Sequence, residues 1–314
     1  MMEIIPGPDF PTGATICNKY GLREAYRTGR GKVIVRAKYE IEEHKDGRSQ
    51  IIFTEIPYQL TKEPLLKKLA ELVIGGRIPG ITSIDDYSDR KQPVRISVSV
   101  KKGEDPNVIV NQLFEYSPLQ DSFSVIMLAL VDGRPKTLPL KEMLRLFIEH
   151  RIIVLRRRTQ YQLRQARQRA HIVEGLLIAL SYIDEIIRVI RSSPNPAEAR
   201  IRLMGMEVSA QILQRALNDP DAKATASLTR MQADAILSMQ LRRLTGLEAD
   251  KLAQEYVGLK ADIDRYEAIL ADEQIILGMI RDDLREMKAK YANPRRSVIS
   301  DEELGDYDKE SLIR

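Results

Sequence analysis

The sequence has few of the residues on which disulfide-stabilised and membrane proteins depend. Its 314 residues include one cysteine and no tryptophan, and aromatic residues make up 5% of the chain. The single Cys17 excludes a disulfide bond within the chain and is typical of a reducing compartment. No segment approaches the roughly 18 consecutive apolar residues of a membrane-spanning helix, and no signal peptide is visible. We therefore expect a cytoplasmic protein without a membrane span.

Histidine is also scarce, and its placement argues against a catalytic or metal site. His44, His150 and His171 lie far apart in the sequence, so no cluster of histidine and cysteine has the spacing of metal ligands. No order of Ser, His and Asp typical of nucleophilic catalysis stands out. We expect these histidines to face solvent or to make ordinary helix contacts, and we predict no catalytic residue and no metal ligand.

Charged and apolar residues are plentiful, at 30% and 43% of the chain. The length is enough for about two or three domains. The formal net charge of +4 decides little, but the distribution of charge is uneven. Residues 145–171 hold a set of arginines against the single acid Glu149, and these are Arg145, Arg151, Arg156, Arg157, Arg158, Arg164, Arg167 and Arg169. One end of the molecule is therefore predicted to be strongly basic.

Two long segments have the apolar periodicity of helices that pack against each other. In the segment Leu252–Tyr291 the steps alternate between four and three, which is the 3.5-residue repeat of a coiled-coil seam. Its apolar residues are Leu252, Tyr256, Leu259, Ile263, Tyr266, Leu270, Leu277, Ile280, Leu284, Met287 and Tyr291. The segment Leu140–Ile190 has a looser stripe with a one-place shift before Ile183. Because a long helix needs a packed face to be stable, we predict that the two segments form an antiparallel pair.

The first third of the chain is predicted to be a small domain of strands and helices. Residues 5–31 are interpreted as a loop because of their proline and glycine content, and residues 32–42 as one half-buried strand. Asp46-Gly47 predicts a hairpin turn. The later predicted elements are strand 50–56, helix 63–74, strands near 81–87 and 94–100, helix 107–116 and strand 123–131. This order is that of a split βαβ pattern with helices on one face.

A basic cluster surrounds Thr28-Gly29-Arg30-Gly31, and its members are Arg23, Arg27, Arg30, Lys32, Arg36 and Lys38. Alternating basic residues on a strand usually form only its solvent face. The two glycines favour a second interpretation, because glycine lets a backbone approach a partner and backbone N–H groups together with arginine suit phosphate oxygens. The cluster lacks the context of a nucleotide-binding loop.

The arginine run at 156–158 also has two interpretations. Three successive residues surround half of a helix, and most such runs only solvate it. The opposing argument is that arginine dominates this segment with few acids available as partners, which favours a polyanion. Residues 192–245, between the long helices, are predicted to form a small helical tip, with short helices at 195–203 and 209–217, a turn at 218–220 and a last helix at 229–244. Its Met231 and Met239 belong either to an internal core or to a surface that contacts a second copy.

Several blocks of the sequence resemble the A subunit of bacterial type IIA topoisomerases, of the gyrase type more than of the topoisomerase IV type. They are Ile5–Gly13, Glu24–Gly31, Glu55–Gln59, His150-Arg151, Arg157–Thr159 and Leu244–Glu248. The resemblance implies an α+β fold, in which a small mixed α/β tower domain precedes a long antiparallel two-helix coiled-coil arm with a globular all-α tip. The implied boundaries are 1–135 for the tower, 136–191 for the first arm helix, 192–245 for the tip or C-gate, 246–292 for the second arm helix and 293–314 for a linker tail.

The resemblance also implies a function. The whole enzyme would pass one DNA duplex through a double-strand break in another, using ATP and Mg²⁺ held by a partner B subunit in an A2B2 assembly. The matched segments lie beyond the family's catalytic tyrosine, so this chain is expected to be inactive alone and to hold no cofactor. The implied contacts with double-stranded DNA are Arg27, Arg30, Lys32, Arg36, Arg157 and Arg158. The implied homodimer contact comprises Met231, Ile236, Leu237, Met239, Gln240 and Leu241. A non-enzymatic helical arm that binds nucleic acid is the alternative.

Overall fold

The computed structural model describes residues 1–44, 47–217, 226–239 and 246–300. The chain divides into two compact units, unit 1 with Met1–Ile148 and the chain from Tyr291 onwards, and unit 2 with Glu149–Lys290. The strands are β1 Thr15–Cys17, β2 Arg30–Arg36, β3 Lys38–Glu43, β4 Ser49–Glu55, β5 Ile81–Asp86, β6 Ile96–Val100, β7 Gln120–Ile126, β8 Leu128–Val131, β9 Arg134–Thr137, β10 Glu207–Val208, β11 Ala226–Ser227 and β12 Val298–Ile299. The helices are α1 Lys19–Thr28, α2 Lys62–Ile74, α3 Pro106–Tyr116, α4 Leu140–Ser181, α5 Ile183–Ser192, α6 Pro196–Met204, α7 Ala210–Leu217, α8 Arg230–Leu237, α9 Gly246–Ala271 and α10 Glu273–Tyr291.

Unit 1 is a mixed α/β structure with two four-stranded sheets. The first sheet has the strand order β12-β1-β2-β7, and the second has the order β3-β4-β6-β5. Strands β8 and β9 form a separate hairpin. Helices α2 and α3 bury Leu65, Leu69, Ile109 and Leu113 in one core with Ile51 and other residues of the second sheet. The mixed α/β class predicted from the sequence is therefore confirmed.

The structure corrects three of the predicted elements of unit 1. The predicted loop 5–31 contains β1 and α1. The predicted strand 32–42 is divided between β2 and β3, which belong to different sheets, and the predicted strand 123–131 is divided between β7 and β8. Because β7 pairs with β2 rather than with the second sheet, the predicted split βαβ order does not form a single sheet.

Val298 and Ile299 return to the first sheet, within the segment for which the resemblance implied a linker tail. Strand β12 pairs in parallel with β1. Ser297 Oγ accepts a hydrogen bond from the backbone N–H of Phe10 at 2.9 Å and donates one to the carbonyl of Gly13 at 2.8 Å. The Asp9 carboxylate accepts from the backbone N–H groups of Arg296 and Ser297 at 3.1 and 2.8 Å. Side chains therefore anchor this short strand at the edge of the sheet.

We expect the docking of β12 to weaken in acid. Hydrogen bonds from the backbone N–H groups of Ser297 and then Arg296 hold the pKa of Asp9 below its ordinary value of 3.8. Since the folded-state pKa is depressed, Asp9 stabilises the docked strand above that ordinary value, and the contribution is lost as the pH falls through the folded pKa. Asp9→Ala should therefore accelerate hydrogen exchange at Val298 and Ser300, whose N–H groups bond to Ala14 and Ile16.

The comparison across pH decides whether Asp9 is responsible. The difference in exchange protection between Asp9→Ala and the unaltered chain should be present at neutral pH and should disappear as the pH falls through the depressed folded-state pKa of Asp9, which lies below 3.8. Asp282→Ala is a matched control, because that exposed aspartate pairs with Arg285 on its own helix. Equal protection in the two variants at neutral pH would contradict the assignment.

Unit 2 contains two long helical segments, α4 with α5 and α9 with α10, which run in opposite directions. With 42 residues, α4 is about 63 Å long at 1.5 Å per residue. Four ion pairs join it to α9 and α10, and they are Arg151–Asp283, Arg156–Glu273, Arg167–Glu267 and Arg169–Glu255. As the arginine numbers rise the acid numbers fall, which is the order of antiparallel neighbours. Each long segment has a break, at Tyr182 between α4 and α5 and at Asp272 between α9 and α10.

The buried stripe of the second long segment differs from the predicted seam. Ile269 and Ile276 are 8% and 0% exposed and form a core with Leu155, whereas the sequence placed Leu270 and Leu277 there. Ile269, Ile276 and Ile280 are spaced by seven and four residues, so the buried stripe stays regular across the break between α9 and α10, where Asp272 Oδ1 accepts from Gln274 N–H. The predicted seam residues Leu284 and Met287 are exposed, so the covered part of the seam ends at Ile280.

The tip region contains the predicted short helices. Helices α6 and α7 match the predictions near 195–203 and 209–217. Helix α8 begins at a capping box of Thr229 and Gln232. The predicted turn at 218–220 lies outside the described residues. The last tip helix, predicted over 229–244, is shorter than expected, because α8 ends at Leu237 with Ser238 as its C-cap. Within the described ranges, no helix has the length and apolarity that crossing a bilayer requires.

Candidate nucleic-acid interface

The basic residues of β2 lie on one face of the first sheet. Buried Val33 and Val35 alternate with Arg30, Lys32 and Arg36, because successive side chains of a strand point to opposite faces. Their neighbours on β7 are Ile126, Ser124 and Gln120, respectively. None of these neighbours is acidic, so the positive charge of this face is not neutralised across the strand pair.

Arg30 and Lys32 are the most available cations of this face. Both side chains are exposed, and neither forms an ion pair with any residue in the part of the chain that the structure describes. Two positions along a strand are about 6.6 Å apart. The two residues therefore present adjacent positive charges to solvent.

Arg36 and Arg27 are engaged by the fold itself. Arg36 Nε donates to Gln120 Oε1 at 2.9 Å, and its guanidinium lies 4.7 Å from the centre of the Phe114 ring. Arg27 donates to both carboxylate oxygens of Glu24, at 3.2 and 3.0 Å. That hydrogen bond and the charge of Glu24 raise the pKa of Arg27. Arg36 and Arg27 therefore already have partners within the chain, unlike the available pair Arg30 and Lys32.

The glycines of this block have an internal role, which corrects their interpretation as a phosphate-binding feature. Gly29 ends α1 with a left-handed φ of 81°, and a Cβ there would lie 2.5 Å from the carbonyl oxygen of Leu138. A Cβ on Gly31 would lie 2.4 Å from the carbonyl oxygen of Gly21 in α1. The glycines are therefore needed for close packing within the chain and are not free to receive a ligand.

Most arginines of α4 have acidic partners, so the prediction that few acids are available to them is wrong. Arg145 is paired with Glu142 on the same helix. The partners of the others lie on α9 and α10, about one hundred positions away along the chain. Arg157 and Arg158 are exposed and have no ion-pair partner among the described residues.

The residues predicted for a homodimer contact have different environments in unit 2. Met231 is 43% exposed, whereas Ile236 is 3% exposed and belongs to the core that contains Ile186 and Leu203. Leu237 and Met239 are half-buried. They line an apolar groove of about 270 Å³ together with Ile183, Ile186, Ile187, Ile190, Arg191 and Ile236. Gln240 and Leu241 lie outside the described residues.

A polar cluster between α4 and α8 was missed by the sequence analysis. His171 Nε2 lies 2.7 Å from Thr229 Oγ1, and Gln232 Nε2 donates to the carbonyl of His171 at 2.9 Å. Gln232 is 4% exposed, so this bond satisfies a buried amide. The order Thr-x-x-Gln at 229–232 is a capping-box signal that could have located the helix start, but not its contact with His171.

Over the described part of the chain, no group of three or more His, Cys, Asp or Glu residues is placed to hold a metal ion. The arrangement that the geometry does offer is a set of exposed arginine and lysine side chains on strand β2 and helix α4. Such side chains bind phosphate oxygens and position a nucleic acid without reading its sequence.

Comparison with known proteins gives a consistent family assignment over almost the whole chain. The family model that describes the A subunit of DNA gyrase and topoisomerase IV matches residues 1–285. The DNA gyrase A subunit of Halalkalibacterium halodurans is 48% identical over 300 residues, which are 96% of this chain and 34% of the relative. Its counterpart in Clostridium acetobutylicum is 46% identical over 314 residues, which are 100% of this chain and 35% of the relative. The DNA gyrase A subunit of Staphylococcus epidermidis is 45% identical over 313 residues, which are 100% of this chain and 33% of the relative. The chain spans about a third of the length of these curated relatives.

Proposed function

This chain belongs to the family of DNA gyrase and topoisomerase IV A subunits, and on that premise we propose that it is the tower and exit-gate part of a type IIA topoisomerase of the gyrase type. The whole enzyme would pass one DNA duplex through a double-strand break in another and so change supercoiling. A partner B subunit would hold ATP and Mg²⁺ in an A2B2 assembly. These residues would supply DNA-backbone contacts and a dimer gate, and other residues of the whole enzyme would supply the cleavage nucleophile.

The observation that carries the DNA-binding part of this proposal is the outward face of β2. Arg30 and Lys32 lie side by side on this face, and they lack acidic neighbours among the described residues. Both are held by a strand that α1 packs against, so their backbone positions are fixed before a ligand binds. This arrangement suits contact with phosphates of double-stranded DNA.

We expect the double variant Arg30→Ala and Lys32→Ala to weaken binding to double-stranded DNA and to reduce the salt dependence of the binding constant. Each lost phosphate contact should lower the slope of log K against log salt concentration by about 0.9, which gives a total of about 1.8. The measurement is fluorescence anisotropy with a labelled duplex over a range of salt concentrations.

Arg90→Ala with Lys91→Ala is the matched control for this variant. It removes the same two positive charges, from exposed residues of the loop between β5 and β6. If both double variants reduce the slope equally, the effect is one of net charge, and β2 is not a DNA-binding surface.

The gate part of the proposal places a second copy of the chain against the tip. It is supported by the exposed Met231 and by the apolar groove beside Leu237 and Met239. Ile236 is excluded from this contact, because it is already buried in its own chain. The two long segments would form the coiled-coil arm that carries the tip, and two such arms would enclose a cavity for the transported duplex. A stable gate of this kind should bury at least about 1,000 Å².

Met231→Glu should therefore convert a dimer into monomers while leaving helicity unchanged, since a charge buried in an apolar interface without a partner is strongly unfavourable. Sedimentation velocity at micromolar concentration measures the mass, and circular dichroism measures the helicity. Ile201→Glu is the control, because Ile201 is an equally apolar tip residue that is 64% exposed. A monomeric unaltered chain would refute the gate.

A further inference from the structure

The arginines in the middle of α4 are divided into two groups by the structure. Between His150 and Val173 the sequence contains seven arginines and no Asp, Glu or Lys. Four of them, Arg151, Arg156, Arg167 and Arg169, pair with acids of α9 and α10. The remaining arginines are Arg157, Arg158 and Arg164, for which no ion-pair partner exists among the described residues. The density of arginine in the sequence therefore reflects two different uses.

The unpaired group lies on the side of α4 that faces away from α9 and α10. Thr159 and Leu163 are 2% and 8% exposed and mark the packed side. At 100° per residue, Arg157 and Arg164 lie about 140° to 160° around the helix from Thr159. Tyr161, 57% exposed, lies between them at the spacing i, i+4, i+7. Arg158 lies at the margin of this outer ridge, which we define as Arg157, Arg158, Tyr161 and Arg164.

The charge that remains on this part of unit 2 is therefore concentrated on the outer ridge. The paired arginines are largely compensated by carboxylates 2.6 to 3.1 Å away. Arginine is always charged and presents a planar set of donors that suits phosphate oxygens, and a tyrosine side chain can contact the phosphate or sugar. A helix surface that is only solvated does not require several arginines beside a tyrosine, because a mixture of positive and negative side chains would solvate it equally well.

We propose that the outer ridge is a second contact surface for the backbone of double-stranded DNA, separate from the face of β2. The proposal rests on the proposed function only in taking DNA as the polyanion. The ridge belongs to unit 2 and the β2 face to unit 1, so the two surfaces are tested by different variants. Contact at the ridge is made through phosphate and sugar groups and is independent of base sequence.

The chain offers a control with an identical change in charge. The ridge variant is Arg157→Ala, Arg158→Ala and Arg164→Ala, and the control is Arg156→Ala, Arg167→Ala and Arg169→Ala. Both remove three positive charges from the same helix, but the control removes arginines that already have acidic partners. Because exposed ion pairs contribute little to stability, both variants should fold, which circular dichroism verifies.

We expect the ridge variant to lower the slope of log K against log salt concentration by about 2.7, at 0.9 per phosphate contact. The control variant should keep a slope close to that of the unaltered chain. The probe is a labelled duplex of mixed sequence, used with the full chain. Tyr161→Ala and Tyr161→Phe in the unaltered background should each lower the affinity at constant slope, because both remove the hydroxyl that bonds to phosphate or sugar without changing the charge.

Two results would overturn the proposal. Equal reductions of the slope in the ridge and control variants would mean that only net charge matters, and an unchanged slope in the ridge variant would mean that the ridge does not touch DNA. The variant Arg30→Ala with Lys32→Ala, measured in parallel, distinguishes a failure of the ridge proposal from a failure of the proposed DNA binding at β2. If that variant has no effect while the ridge variant does, the β2 surface is wrong and the ridge stands.

Discussion

Gly21→Ala should prevent unit 1 from folding as described. A Cβ on Gly21 would lie 1.9 Å from the backbone carbonyl oxygen of Lys32, a distance that no rotation of a side chain can relieve. Overpacking typically costs about 1 to 3 kcal/mol where side chains can move. Here a helix or a strand must move, so we expect a loss of at least about 3 kcal/mol in the free energy of unfolding of unit 1.

The loss of structure should be confined to the region of α1 and β2, and it should also weaken DNA binding. Hydrogen exchange should show lost protection at Val33 and Val35, both buried in the core of the first sheet, while α4 within unit 2 keeps its protection. Since β2 carries Arg30 and Lys32, the variant should also reduce DNA binding at that face. A chain with unchanged protection at Val33 would contradict the close packing of α1 on β2.

Gly258→Ala is the matched control, and it should change the free energy of unfolding in the opposite direction. Gly258 lies inside α9, and a Cβ there would meet no described atom within 4 Å. Alanine is favoured over glycine in a helix by roughly 0.5 to 1 kcal/mol. We expect this variant to be slightly more stable than the unaltered chain, as measured by thermal unfolding followed by circular dichroism.

Ile276→Ala should destabilise the long helical pair by about 2 to 5 kcal/mol, which is the cost of removing most of a fully buried aliphatic side chain. Ile276 is 0% exposed and packs in a small core with Leu155, Ile269 and Ile280. Such a core has few other contacts to compensate for a cavity. Hydrogen exchange of α10 and of the central part of α4 measures the local effect.

Leu284→Ala tests the same helix with a residue that the sequence also placed on the seam. Leu284 is 50% exposed, so its truncation should cost less than about 1 kcal/mol. A similar loss in the two variants would mean that Leu284 is covered in solution and that the seam continues beyond Ile280. A small loss at Ile276 would mean that the core around Leu155 is not packed as described.

The apolar periodicity of the sequence determined the long helices, because residues that face a common partner must recur at the helical repeat. Local capping signals likewise located the starts of the short helices α6 and α8, at Asn195 and Thr229. Local signals are enough for these elements, since each depends on neighbours within a few turns. The same signals failed for Ile269 and Ile276, because Ile269-Leu270 and Ile276-Leu277 are adjacent apolar pairs and only packing decides which member of each is covered.

The sheets of unit 1 depended on contacts between distant parts of the chain. The pairing of β12 with β1 joins the two ends of the described residues, and the separation of β7 from the second sheet depends on β2. Gly21, Gly29 and Gly31 favour a loop when only neighbours are considered. In the structure they allow α1 to approach β2 and Leu138 closely. No local pattern distinguishes these two uses of glycine.

The sequence by itself determined where the positive charge is located, including Arg30, Lys32, Arg157 and Arg158. Only the tertiary structure decided which charges remain available. It stacks Arg36 on Phe114, and it places acids of α9 and α10 beside the paired arginines of α4. The physical reason is that a formal charge belongs to a residue, whereas its compensation depends on the distance to another residue, which folding alone sets.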